Sequence, residues 1–510
     1  MPINQRERRR LNQQTLGRLA RVCKAFSEPA LDVLWQVLDD IRTLLFTLPS
    51  FINGRRDSCL YVFSRDITEP EWARFQEYAR RVRELHLNDE HMRVISPFVW
   101  TFLGRWCSPG QELLPCLVCL DSFVASEKDP GHILLLSSTL RHLSIAAKAQ
   151  KTPDARWSVD TLVEIALKTA NPKLESLRLN RFPSLEGASR LCSRFPHLQY
   201  LEMKDPMFVE DSTLRLLATF PLLRRLTLKL KARLSEKLKL SPLSFPRLRE
   251  LRITGDPAAL HCFLEVTRQP NLHTLMLKIV DWSLCTDGQA IKHVRRILSK
   301  VPPTARKLSV WLAGDGPRVA QLLKPSLRLH WLTHVSITLE RDIPELVINN
   351  TELQAFACAW PNLIEFDFSL ANIDPSEDVL LVPDMVGAEA LILFAQMHPN
   401  LSRLVLPYVQ LDQGPIPTPD TLPLRDHGLR HLRISILEDA DYSQYQEFAE
   451  LIDALFPDLD LSDATYSAYA DVPDDEYLNW YDVEQLLVRL QASRGNNVPR
   501  RRRRFKLRFD

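Results

Sequence analysis

The chain has 510 residues and a formal charge of +2, so it is not a polycation built for nucleic acid, and 45% hydrophobic and 25% charged residues are ordinary for a globular protein. Its 14 glycines leave little room for glycine-rich phosphate loops, and no apolar run approaches the ~18 residues of a membrane span. Nine scattered cysteines, an odd number, and no apolar leader after Met1 point to free thiols in a reducing compartment, cytoplasmic or nuclear.

Residues 1–15 are polar, with Arg6, Arg8, Arg9 and Arg10 close together. Two helices are predicted over 16–48. Leu16, Leu19, Val22, Cys23 and Phe26 set the first. Ser27 and Pro29 read as a new helix start before Leu31, Val33, Leu34, Trp35, Val37 and Leu38. On facing stripes of two antiparallel helices, Val22, Phe26, Leu34 and Trp35 are expected to pack together. Residues 49–135 are transitional. Trp72, Phe75, Tyr78, Ala79 and Val82 form a helical stripe that feeds Val82-Arg-Glu-Leu85-His-Leu87, the expected first strand of a repeating series. Cys116-Leu-Val-Cys119 is a lone C-x-x-C without a second ligand pair, so ordinary buried thiols are expected and no metal.

From Leu140 onward one six-residue pattern, apolar-x-x-apolar-x-apolar, keeps returning. Its regular copies start at Leu174, Leu198, Leu223, Leu248 and Leu272, which are 24 or 25 residues apart. Looser copies start at Leu140, Ala305, Leu332, Leu363, Leu401 and Leu429. Apolar side chains two apart share one face of a short strand. The remainder of each period must return the chain before the next strand. Phe195-Pro, Phe220-Pro, Phe245-Pro, Gln269-Pro, Trp360-Pro and His398-Pro stand before many strands, where proline stops a returning helix. This is the leucine-rich-repeat pattern, and it predicts an α/β solenoid over 136–470, with a curved parallel sheet inside and helices outside. The array is closed by a proline-rich loop (Pro415, Pro417, Pro419, Pro423), an acidic segment with a capping helix at Trp480–Leu490 (471–495), and a basic tail (496–510) carrying Arg500–Arg504.

The residues flanking the last two apolar positions of each copy point away from the core. They give an expected concave strip of Arg178, Lys204, Arg225, Lys229, Arg252, Lys278 and Lys307 beside Trp311, against Glu202 and Glu250, before Glu365 and Asp367 reverse the sign. Such a strip suits an acidic or phosphorylated protein segment; the plainer alternative is a face kept soluble by its charges. None of the phosphate-loop, nucleophile-elbow or H-E-x-x-H motifs is present, so neither catalysis nor a cofactor is expected.

Leu19-Ala-Arg-Val22-Cys23-Lys24-Ala-Phe26, followed by Leu34-Trp35-Gln-Val-Leu38, resembles the second half of an F-box, most closely that of fungal F-box/leucine-rich-repeat proteins. The turns before the strands and the closing helix extend the resemblance. It implies an N-terminal helical F-box-like cap over 1–48. Leu19, Val22, Cys23, Lys24, Phe26, Leu34 and Trp35 would meet a Skp-type adaptor on a cullin scaffold, while the repeats hold a ubiquitin-ligase substrate. The Leu-Pro helix start that opens such modules has no counterpart before Leu16. That leaves two readings: a shortened module that still docks the adaptor, or helices that only cap the solenoid. Neither membrane nor nucleic acid is expected as a partner.

Overall fold

The computed structural model describes residues 13–54, 60–107, 111–125, 130–147, 161, 164–168, 173–180, 195–208, 211–231, 242–280, 287–313, 319–340, 348–371, 386–411, 416–419, 422, 427–437, 441–461 and 479–494. The arginine-rich start, Pro415, Pro423, the acidic residues of 471–478 and Arg500–Arg504 lie outside them. The chain divides into two compact units, residues 1–229 with 243–247, and 230–242 with 248–510.

In the first unit the parallel strands follow one another in chain order. They are β1 (Val37–Leu38), β2 (Glu84–His86), β3 (Cys119–Ala125), β4 (His142–Ala147), β5 (Ser176–Asn180), β6 (Tyr200–Phe208) and β7 (Arg225–Lys231, the unit boundary falling after Lys229). One apolar position runs through the ladder: Leu38 opposes Leu85, Leu85 opposes Leu120, Leu120 opposes Leu143, Leu143 opposes Leu177, and Leu177 opposes Leu201. The amides of Arg224 and Arg225 both donate to Gln199 O, which carries the order on to β7. In the second unit β8 (Glu250–Gly255), β9 (Thr274–Ile279), β10 (Lys307–Ala313), β11 (His334–Glu340), β12 (Glu365–Ala371), β13 (Arg403–Val409) and β14 (His431–Leu437) repeat the arrangement. There Leu251, Leu275, Leu308, Val335, Phe366, Leu404 and Leu432 stand in register.

The reason is the six-residue pattern itself. Its fourth position is buried on one side of the strand in the regular copies: Leu177, Leu201, Leu226, Leu251 and Leu275 are each at most 1% exposed. The carbonyl of the second position takes two N–H groups from the next copy, as at Glu175, Arg249, His273, Thr333 and Ile364, which fixes the register. The returning segments are helical: α1 (Lys24–Gln36), α2 (Glu69–Ala79), α3 (Pro97–Trp106), α4 (Asp211–Ala218), α5 (Pro257–Val266), α6 (Asp287–Ser299), α7 (Asn350–Ala359), α8 (Glu389–Met397) and α9 (Tyr442–Leu455). Several start on capping boxes, Thr68 with Glu71 and Asn349 with Glu352 among them. The residue before each turn proline is an anchor: Phe195, Phe220, Phe245, Gln269, Trp360 and His398 are all buried. At the C-terminal end α10 (Asn479–Ser493) packs on α9 and reaches β14, with Val483 and Leu487 buried, so the last strand is not left as an open edge.

Three expectations about the N-terminal half are corrected. The chain turns at residues 20–22 after a helix over 13–19, and α1 then runs unbroken through Pro29, so Ser27 starts no helix. The first strand is Val37–Leu38, with Val82–Leu87 supplying the second. Val22 and Phe26 do not pack with Leu34 and Trp35; they are 67% and 57% exposed, whereas Trp35 meets Tyr78 at a ring-centroid distance of 4.7 Å. In a single helix Phe26 and Trp35 are nine residues apart, and at ~100° per residue they lie on opposite sides. Phe26 and Val33, seven apart, share a side, and Val33 is 55% exposed.

Candidate interaction surface

Because strand side chains alternate, the third and fifth positions of each copy stand on the sheet face turned away from the buried leucines. In the first unit the fifth positions form a row. His86 opposes Asp121; Ser144 opposes Arg178; Arg178 opposes Glu202. Asp39, just after β1, acts on His86 electrostatically, and Asp121 is hydrogen-bonded to Ser144. His86 Nδ1 lies 3.6 Å from Asp121 and its Nε2 3.9 Å from Glu84. Asp121 raises the imidazole above its ordinary value, and His86 in turn lowers Asp121, with burial opposing both. Burial, reinforced by Glu84 and Asp121, pushes the Cys119 thiol up to about 11, so it stays protonated and is a poor nucleophile.

Arg178, Lys204, Arg225 and Lys229 are exposed on this face, as the pattern required. They do not form a bare positive strip. Glu202 sits among them, 3.3 Å from Arg178 and 3.7 Å from Lys204, and accepts a 2.5 Å hydrogen bond from Tyr200. Arg178 also lies over the Tyr200 ring, 5.4 Å from its centre.

In the second unit Arg252 pairs with Glu250 at 2.6 Å. Lys278 stands 4.1 Å from the centre of the Trp311 ring and 3.9 Å from Glu340, and Trp311 Nε1 donates to Glu340 at 2.9 Å. Lys307 is exposed one strand away from half-buried His334, and it lowers that imidazole second to burial. Further on, His334 faces Glu365 at 3.8 Å and Arg403 faces Asp367 at 3.2 Å. Ser309, Ser336, Thr338 and Ser369 on the same strands are half-buried. The strip read from sequence is therefore largely a ladder of matched charges here: Arg252 has a carboxylate two residues away, Arg403 one strand away and Lys278 two strands away, while Lys307 stands beside His334.

The N-terminal residues divide by side. Leu19, Val22, Cys23, Lys24 and Phe26 are exposed; Leu34 and Trp35 are half-buried, Trp35 against Tyr78 of α2. Arg81, following α2, binds Glu28 at 2.5 Å and also pairs with Asp32, which fixes one side of α1 and leaves the apolar side outward.

Sequence reasoning missed Asp39, Glu84, His86 and Asp121. Glu84 and His86 flank Leu85 and were within reach of the rule that located Arg178. Asp121 was hidden because its copy, Leu117-x-x-Leu120-x-x-Phe123, is one residue too long. The structure absorbs that residue in a bulge between Leu120 and Phe123, with Ser122 at φ 60°.

Among the described residues no group of three or more His, Cys, Asp or Glu side chains could hold a metal ion, and no helix is long and apolar enough to cross a membrane. No protein-family model and no curated protein matches the chain. Among solved structures, a leucine-rich-repeat-containing protein from Legionella pneumophila is 15% identical over 63% of this chain and 93% of its own, with a TM-score of 0.33. A protein from Bacteroides fragilis is 12% identical over 64% of this chain and 66% of its own, with a TM-score of 0.26. Superpositions this loose carry no argument, and the architecture rests on the strand register above.

Proposed function

We propose that this chain is a non-catalytic leucine-rich-repeat scaffold with two docking surfaces, serving as the substrate receptor of a cullin-RING ubiquitin ligase. The sheet face takes a protein partner. The N-terminal helices take a Skp-type adaptor through Leu19, Val22 and Phe26, with Val33 continuing the stripe. The observation that carries the second surface is the apolar side of α1. Three large apolar residues, Val22, Phe26 and Val33, are more than half exposed on one short segment whose other side is anchored. Patches of this kind mark binding sites more often than chance exposure does. A pure cap explains Leu34, Trp35 and Leu38, which lie against the solenoid end, but leaves Val22, Phe26 and Val33 without a purpose.

The test is binding of purified Skp-type adaptor to the full chain. Micromolar association that is lost on Val22→Asp with Phe26→Asp, at unchanged thermal stability, supports adaptor docking. No association with the parent chain removes the ligase link and leaves the scaffold alone.

A further inference from the structure

We propose that the sheet face of the first unit selects an extended protein segment with opposite charges at its two ends, a basic stretch over β1–β3 and an acidic stretch over β5–β7. This rests on the reading above that the sheet face holds a protein partner. The face carries two poles. Asp39, Glu84 and Asp121 surround one imidazole, His86, on the first three strands. On the last three, Arg178 and Lys204 flank one carboxylate, Glu202, and Arg225 and Lys229 stand exposed on the next strand. Ser144, between them, is neutral.

The centres of the two poles are separate targets, while Asp121 and Arg178, at their facing edges, still act on each other. From β2 to β6 there are four strand steps of ~4.8 Å, about 19 Å in all. That is more than two screening lengths of ~8 Å at physiological salt. A uniformly acidic segment laid across the strands is attracted by one pole and repelled by the other; a uniformly basic one meets the reverse. Only a bipolar segment gains at both ends. At ~3.3 Å per extended residue the charge centres should stand roughly six residues apart. The ion pairs already present do not lock the surface. Arg178 and Lys204 keep about half of their side-chain surface exposed beside the mostly covered Glu202, so a partner carboxylate can join it.

The experiment uses the full chain and three labelled nine-residue peptides, read by fluorescence anisotropy at low and physiological salt. One carries three lysines, three serines and three glutamates; the second has glutamate, and the third lysine, at all six charged positions. The bipolar peptide is expected to bind about tenfold more tightly than either uniform one, with the gap shrinking as salt rises. The transposed variant Glu84→Lys with Lys229→Glu keeps the net charge, cuts each pole to about a third of its charge and should shrink the preference severalfold. If that variant does not fold, Glu84→Gln and Lys229→Gln, each made alone, should each weaken the bipolar peptide and only one uniform peptide. Equal binding of the all-glutamate and bipolar peptides overturns the two-pole proposal while leaving the face as a partner surface. Binding of none of the three at low salt overturns both.

Discussion

His398 occupies a position that phenylalanine or tryptophan fills in most sister repeats, and it pays in protonation. It is fully buried, with its ring 5.4 Å from Phe394. Burial is the main force holding its pKa down to about 4; a Pro361 backbone contact acts against this, and His427 adds to it. An unfolded histidine titrates near 6.5, so below that pH the unfolded chain takes up a proton that the folded chain refuses. Stability is therefore full above about 6.5 and falls as pH drops toward 4, by about 3 kcal/mol for this one group. Denaturant unfolding at a series of pH values should show the slope, and His398→Phe should flatten it. Ser122 makes a second residue-scale case. A non-glycine residue at φ 60° costs roughly 1–2 kcal/mol, part of which glycine loses again to the unfolded state. Ser122→Gly should raise the melting temperature slightly, and Ser122→Val should lower it, since a β-branched side chain suits that region worst.

At the scale of elements, strands and helices answer to different tests. Leu226 is 0% exposed on β7, and Leu226→Ala should cost ~2–5 kcal/mol in equilibrium unfolding. On α1, Phe26→Ser and Val33→Ser should shift stability by less than ~0.5 kcal/mol, because both side chains already stand in water. If Phe26→Ser proved as costly as Leu226→Ala, the apolar side of α1 would be core, and the adaptor surface proposed for it would disappear.

At the scale of the molecule, a repeating array has ends, and the C-terminal end is closed by α10. Gln491 donates to Leu459 O at 3.2 Å, Asp460 N donates to Arg430 O at 2.8 Å, and Arg494 pairs with Asp453. Removing residues 479–510 would uncover Leu451, Leu455 and Leu459 beside the edge of β14. The truncated chain should self-associate in size-exclusion chromatography coupled to light scattering, while the parent does not.

The sequence by itself determined the strands. One copy of apolar first, fourth and sixth positions would also suit a helix, but copies recurring 24 or 25 residues apart stack as strands, because none buries its face alone. It also determined which bases stand on the open face, since alternation along a strand is a local property. Tertiary structure decided the rest. Whether Lys278 is available depends on Glu340 two strands on, and spacing in sequence does not encode cross-strand neighbours. The helix break moved from Ser27 to residues 20–22, and Trp35-x-x-Leu38 became the first copy of the ladder, because pairing of Val37–Leu38 with Glu84–Leu85 extends the sheet by a strand. Asp121 meets His86 because Leu120 pairs with Leu85, and the surplus residue at Ser122 then lets Phe123 rejoin the ladder opposite Ile145. A local pattern read residue by residue breaks at such an insertion, while a hydrogen-bonded ladder absorbs it and goes on.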